Sequence, residues 1–110
     1  MTKKRAYVKM GYDGRYLYAD IYGELDHHGV KEVREVIDEQ LYQFRPTMFV
    51  MNFGQVAFMD SSGLGLVVGR AKVAEDLHCM VRVVNVSPRI MKIFALAGLE
   101  RLSCIKIEGA

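Results

Sequence analysis

The chain has 110 residues, 51% hydrophobic and 25% charged, with a net charge of +2 from 15 Lys+Arg against 13 Asp+Glu. This balance fits one globular domain with a modest core; it excludes a disordered chain, and the charge excess is too small to argue for a nucleic-acid partner. The apolar run 64–68 is broken by Gly65 and too short for a bilayer, and Lys9 and Asp13 interrupt any leader-like stretch, so a cytoplasmic protein with no membrane partner and with Cys79 and Cys104 reduced is expected.

Residues 1–5 include Lys3, Lys4 and Arg5 and read as a flexible basic tail. Segments 6–12 and 15–22 are rich in Tyr, Val and Ile and bracket Asp13-Gly14, which is a hairpin signal. Asp26 is placed to cap a helix. Val30, Val33, Ile37, Leu41 and Phe44 follow at helical spacing, opposite Lys31, Glu32, Arg34, Glu35, Asp38 and Glu39, and the helix should end before Pro46. Residues 47–53 read as a buried strand. Asp60-Ser61-Ser62 opens a second helix, with Leu64, Val67, Val68 and Ala71 expected to face the core. Residues 81–86 read as a strand. Ser87-Pro88 then gives a cap followed by proline at the first helical position, with Ile90, Ile93, Phe94 and Ala97 on the core face and Gly98 as the stop. Residues 104–107 form a last short strand.

The resulting order, β-β-α-β-α-β-α-β over a single domain 1–110, predicts an α/β fold: a mostly parallel mixed sheet with an N-terminal hairpin and right-handed crossovers. In each βα unit the helix starts at the carboxyl edge of the sheet. Asp26-His27-His28, Asp60-Ser61-Ser62 and Ser87 should therefore share one rim, where open α/β sheets engage ligands and partners.

Ser61 and Ser62 stand at a helix start, where two readings hold together. One is capping, because side-chain oxygens satisfy the free N–H groups there. The other is phosphorylation, because the same N–H groups and the helix dipole tolerate an anion, although Asp60 would oppose it. A serine hydrolase is disfavoured: Met59-Asp60-Ser61-Ser62-Gly63 lacks the first glycine of a nucleophile elbow, and His27, His28 and His78 are the only histidines. Gly63, Gly65 and Gly69 satisfy neither the dinucleotide nor the phosphate-loop pattern. The cysteines with His78 lack a zinc spacing, and adjacent His27 and His28 point apart, so no metal is expected. Ser62, Leu66, Gly69 and Val73 fall on one helix face separate from the expected core face. Glycine there costs about 1 kcal/mol against alanine and permits close backbone approach, either by a partner or by a neighbouring loop.

These residues carry a resemblance. Phe58-Met59-Asp60-Ser61-Ser62-Gly63-Leu64-Gly65 resembles the phosphorylation motif of the anti-sigma factor antagonists of the STAS domain family. Gly23-Glu24-Leu25-Asp26-His27-His28 is similar to the matching segment of its sporulation branch. Gly69-Arg70-x-Lys72, Ser87-Pro88, Phe94 and Gly98-Leu99 also fall where that branch has similar residues. Gly29, in the first turn of the first helix, stands where a better helix former is expected.

The resemblance implies a STAS-like domain that binds and does not catalyse. In that family the unphosphorylated antagonist binds an anti-sigma factor that is also a serine kinase, and the sigma factor is released. The kinase phosphorylates the first serine of Asp-Ser-Ser-Gly, here Ser61, binding is lost, and a metal-dependent serine phosphatase restores it. No cofactor is implied for the chain itself; ATP and Mg belong to the kinase. With the helix face added, the candidate partner-binding set is Asp26, His27, Asp60, Ser61, Ser62, Gly63, Leu66, Gly69 and Val73. A structural STAS subunit of a stress-signalling or lipid-transport assembly is the alternative, and the intact motif argues against it.

Overall fold

The computed structural model describes residues 4–110. Strands β1 (Tyr7–Tyr12) and β2 (Tyr16–Leu25) pair antiparallel around Asp13-Gly14. Gly14 supplies the positive φ of the turn, and Asp13 Oδ1 accepts from the N–H groups of Tyr16 at 2.7 Å and Arg15 at 2.9 Å. Those two bonds, Tyr16's first, hold the Asp13 carboxyl below its ordinary range.

Three βα units follow: α1 (His27–Phe44), β3 (Met48–Met59), α2 (Ser61–Asp76), β4 (Met80–Val86) and α3 (Pro88–Leu96). Each helix starts on the residue its sequence nominated. Asp26 accepts from His28 and Gly29, Asp60 from Ser62, and Ser87 from Ile90, with Pro88 in the first turn. Arg45, in the left-handed region, ends α1 just before Pro46. Gly98, also at positive φ, leads into a 3-10 turn (Leu99–Arg101) and then β5 (Ile105–Gly109).

The sheet order is β1-β2-β3-β4-β5, and every pairing after the hairpin is parallel. Sequential parallel strands joined by right-handed crossovers place their helices on one face of the sheet. The inward positions Leu17, Ala19 and Ile21 of β2, Phe49, Met51 and Phe53 of β3, and Val81 and Val83 of β4 meet Val33, Ile37 and Leu41 of α1, Val67 and Ala71 of α2, and Ile90 and Phe94 of α3 in one core. Phe53 and Phe94 meet edge to face, with centroids 5.7 Å apart. Cys79 and Cys104 are free and buried, and burial pushes the Cys79 thiol up to about 11.

Three expectations change. Strand β3 does not stop near residue 53. Its ladder with β4 ends at the Asn52–Val84 pair, but it stays paired with β2 through register shifts as far as Met59. Residues 55–59 pair with β2 but not with β4, and deliver the chain to Asp60. Lys4 and Arg5, expected in a flexible basic tail, are bonded to the rest of the domain. Lys4 N donates to Glu24 Oε2 at 2.7 Å, Glu24 N donates to the Lys4 carbonyl, and Arg5 pairs with Glu32 at 2.9 Å. Residues 4 and 5 are thus tethered, and residues 1–3 lie outside the described residues. Gly29, finally, is not a weak spot in α1. A Cβ there would stand 2.5 Å from the Glu24 carbonyl oxygen and 2.8 Å from Ala6 Cβ, so the close approach of the end of β2, and of the segment before β1, requires glycine.

Candidate functional site

Strands β2 and β3 run parallel, so their carboxyl ends, Leu25 and Met59, pair side by side. The helix starts at Asp26 and Asp60 therefore sit together on one rim, tied by a bond from Asp60 N to the Leu25 carbonyl oxygen at 3.4 Å. At the second start the two serines are unequal. Asp60 Oδ1 accepts from Ser62 N at 2.7 Å, so the aspartate does the capping. Ser61 is the first residue of α2 and is exposed; Ser62 is half-buried. Capping thus needs neither hydroxyl, and the Ser61 hydroxyl is presented to solvent at the positive end of a helix.

Between the first turns of α1 and α2 lies an open groove of about 670 Å³. His27, His28, Lys31 and Arg34 line it from α1; Ser62, Gly65 and Gly69 line it from α2; Val30, Leu66 and Arg70 complete it. The groove brings His27, Ser62, Leu66 and Gly69 of the expected partner set together beside Asp26, Asp60 and Ser61.

The structure redraws the rest of that set. Leu66 is only 3% exposed and belongs to the core, so it does not sit on a face that the core leaves unused; it closes the groove at its base. Gly63 is buried as well, and a Cβ there would collide with the side chain of Met59. Val73 is half-buried against the core and lies outside the groove. Leu64 and Val68, expected to face inward, are only partly buried. Gly65 and Gly69 behave differently: a Cβ on either would meet nothing within 4 Å. Among the described residues, no neighbouring loop packs against them.

Three basic residues escaped the sequence reading as site residues. Arg70 is 6% exposed, with Nε 2.7 Å from Asp38 Oδ1 of α1 and Nη1 donating to the Leu66 carbonyl at 3.4 Å. The Asp38 contact is electrostatic, without the alignment of a good hydrogen bond. Burial lowers the Arg70 pKa, and the Asp38 carboxylate opposes that shift. Lys31 and Arg34 stand exposed on the α1 wall. Phe58, 40% exposed near the end of β3 and the first residue of the motif, is a further apolar candidate on the rim. Its presence in the motif was the available signal.

Among the described residues, no three His, Cys, Asp or Glu side chains group to hold a metal, and no helix is long and apolar enough to cross a membrane.

The chain matches the STAS domain model over residues 10–108. It is 39% identical over 79 residues to an anti-sigma F factor antagonist of Lysinibacillus sphaericus, covering 72% of this chain and 68% of that protein. It is 30% identical over 95 residues to one of Paenibacillus polymyxa, covering 86% and 81%. An anti-sigma-B factor antagonist of Staphylococcus aureus is 36% identical over 80 residues, 73% of each protein. Among solved structures, the anti-sigma factor antagonist SpoIIAA in its unphosphorylated form is 31% identical, with a TM-score of 0.77 over 92% of this chain and 87% of that one. The Bacillus cell fate determinant SpoIIAA in its phosphorylated form gives 0.71 at the same identity, over 92% and 90%. With its five-stranded mixed sheet, its hairpin and its intact Asp60-Ser61-Ser62-Gly63 helix start, this chain belongs to the STAS-domain family of anti-sigma factor antagonists.

Proposed function

We propose that the chain is a binding module switched by phosphate on Ser61. Unphosphorylated, it binds an anti-sigma factor that has serine kinase activity, and the sigma factor is released. Phosphorylation of Ser61 abolishes that binding, and a serine phosphatase restores it. The chain performs no chemistry of its own; the kinase holds ATP and Mg. Such a cycle belongs in the cytoplasm. The Glu24-Leu25-Asp26-His27-His28 segment and two relatives named for the anti-sigma F factor favour the sporulation branch.

The observation that carries this reading is the division of labour at the start of α2. Asp60 satisfies the Ser62 N–H, which leaves the exposed Ser61 hydroxyl without a structural task. A phosphate there adds about −1.5 to −2 charges. Helix-terminal N–H groups and the dipole can accommodate it, so the free domain need not refold. In a complex the same charge is desolvated beside Asp60. Like charges brought together across an interface cost several kcal/mol, and each 1.4 kcal/mol is tenfold in affinity. The existence of a 31% identical relative in both unphosphorylated and phosphorylated forms supports the reading.

Incubation with ATP, Mg and the cognate anti-sigma kinase, followed by intact-mass measurement and peptide fragmentation, tests the proposal. One phosphate on Ser61, absent from Ser61→Ala, is expected. Phosphate on Ser62 alone would contradict it.

A further inference from the structure

We infer that the groove between α1 and α2 seats an acidic segment of the protein partner, read by a basic wall made of Lys31 and Arg34 and backed by Arg70. The inference rests on the partner-binding reading above, but it names a surface and a chemistry that the reading does not require.

Among the described residues, the groove is lined by three permanently cationic side chains and by no carboxylate. Asp38 offsets part of this charge, but it pairs with Arg70 and does not line the groove. Lys31 and Arg34 lie three residues apart on α1, so their heads share one strip of its surface. Arg34 stands near enough to Arg70 to oppose its charge, while Asp38 already offsets it, so Lys31 and Arg34 are the cations left facing the groove. An acidic side chain entering here would meet the two exposed cations Lys31 and Arg34, with Arg70 behind them already paired to Asp38.

The opposite wall explains why a polypeptide fits. Gly65 and Gly69 are one helical turn apart, and open space stands where each would carry a Cβ. Glycines inside a helix cost stability, and here the chain's own packing does not require them. They leave α2 smooth enough for another backbone to lie against it, while half-buried Val30 adds apolar surface between the walls and buried Leu66 closes the base. An amphipathic partner segment can therefore set its acidic side toward α1 and its backbone toward α2. The chain's low overall charge disfavours nucleic acid as the occupant. Ser61 directly precedes Ser62 of the groove wall, so phosphate on Ser61 brings its charge to the end of a seat built for an anionic segment.

The test is titration of the full chain with its cognate anti-sigma factor at low and high salt, beside Lys31→Glu/Arg34→Glu and Lys31→Gln/Arg34→Gln. Both residues are exposed, so melting should not change. Wild-type affinity should fall as salt rises. The Glu pair should weaken binding about tenfold or more, and the Gln pair by less, with a flatter salt dependence. If wild type binds but the Glu pair binds equally well with the same salt dependence, the groove inference is overturned while the proposed function stands. If wild type fails to bind any anti-sigma factor, the proposed function itself falls and the groove inference with it. A dimer of the chain alone that the Glu pair dissolves would assign the groove to a second copy, and would likewise overturn the inference.

Discussion

Gly63 and Gly69 belong to the same helix and mean opposite things. At Gly63 a side chain would run into Met59, so the fold itself demands glycine. At Gly69 a side chain would enter open space, and the fold gives no reason for its absence. The same contrast separates the two serines that begin helices. Ser87 Oγ accepts from Ile90 N and works as a cap, whereas Asp60 caps α2 and leaves Ser61 exposed. In the function proposed above, a residue whose local structural task is done by something else, or is absent, is the one offered to the partner.

Substitutions can break this contrast. The largest expected effect is at Leu66, which the core uses: Leu66→Ala should cost about 2–5 kcal/mol of unfolding free energy, read by urea titration. A loss within the range of an ordinary surface change would return Leu66 to the partner face. Gly63→Ala comes next, at about 1–3 kcal/mol, because Met59 is buried and must shift to make room. Gly69→Glu should leave melting nearly unchanged while weakening anti-sigma binding about tenfold, since it fills the groove and neutralises its basic wall. Equal affinity and equal melting would remove this face from the interface. Smallest is the effect of Gly65→Ala or Gly69→Ala on the free protein, where each should raise stability by up to about 1 kcal/mol. A destabilisation at either would show that the open glycines do have a structural task.

Much of the fold was legible because its signals are local. Asp26, Asp60 and Ser87 each cap the helix they precede, and Asp13-Gly14 turns the hairpin. The orientation of α2 was legible only in part: Val67 and Ala71 are buried as expected, while Leu64 and Val68 are only partly so. Leu64, Leu66, Val67 and Val68 are apolar almost all round, while Gly63 and Arg70 occupy the buried side. Periodicity cannot choose a face when the buried positions include a glycine and an arginine. The far half of β3 was hidden because Gly54 and Gln55 interrupt its apolar run, and its pairing with β2 alone persists through register shifts. The basic wall was invisible for a different reason. Lys31 and Arg34 read as the solvated side of an amphipathic helix, and only the packing of α1 beside α2 brings Arg70 to them.

The central claim is that phosphate on Ser61 acts at an interface and not on the fold. Amide NMR spectra of the free domain with and without phosphate, recorded beside the two anti-sigma binding curves, test it most directly. Shifts confined to the start of α2 and the adjoining rim are expected, together with affinity lower by about a hundredfold or more. Shifts spread through all three helices, or binding that survives phosphorylation, would contradict it.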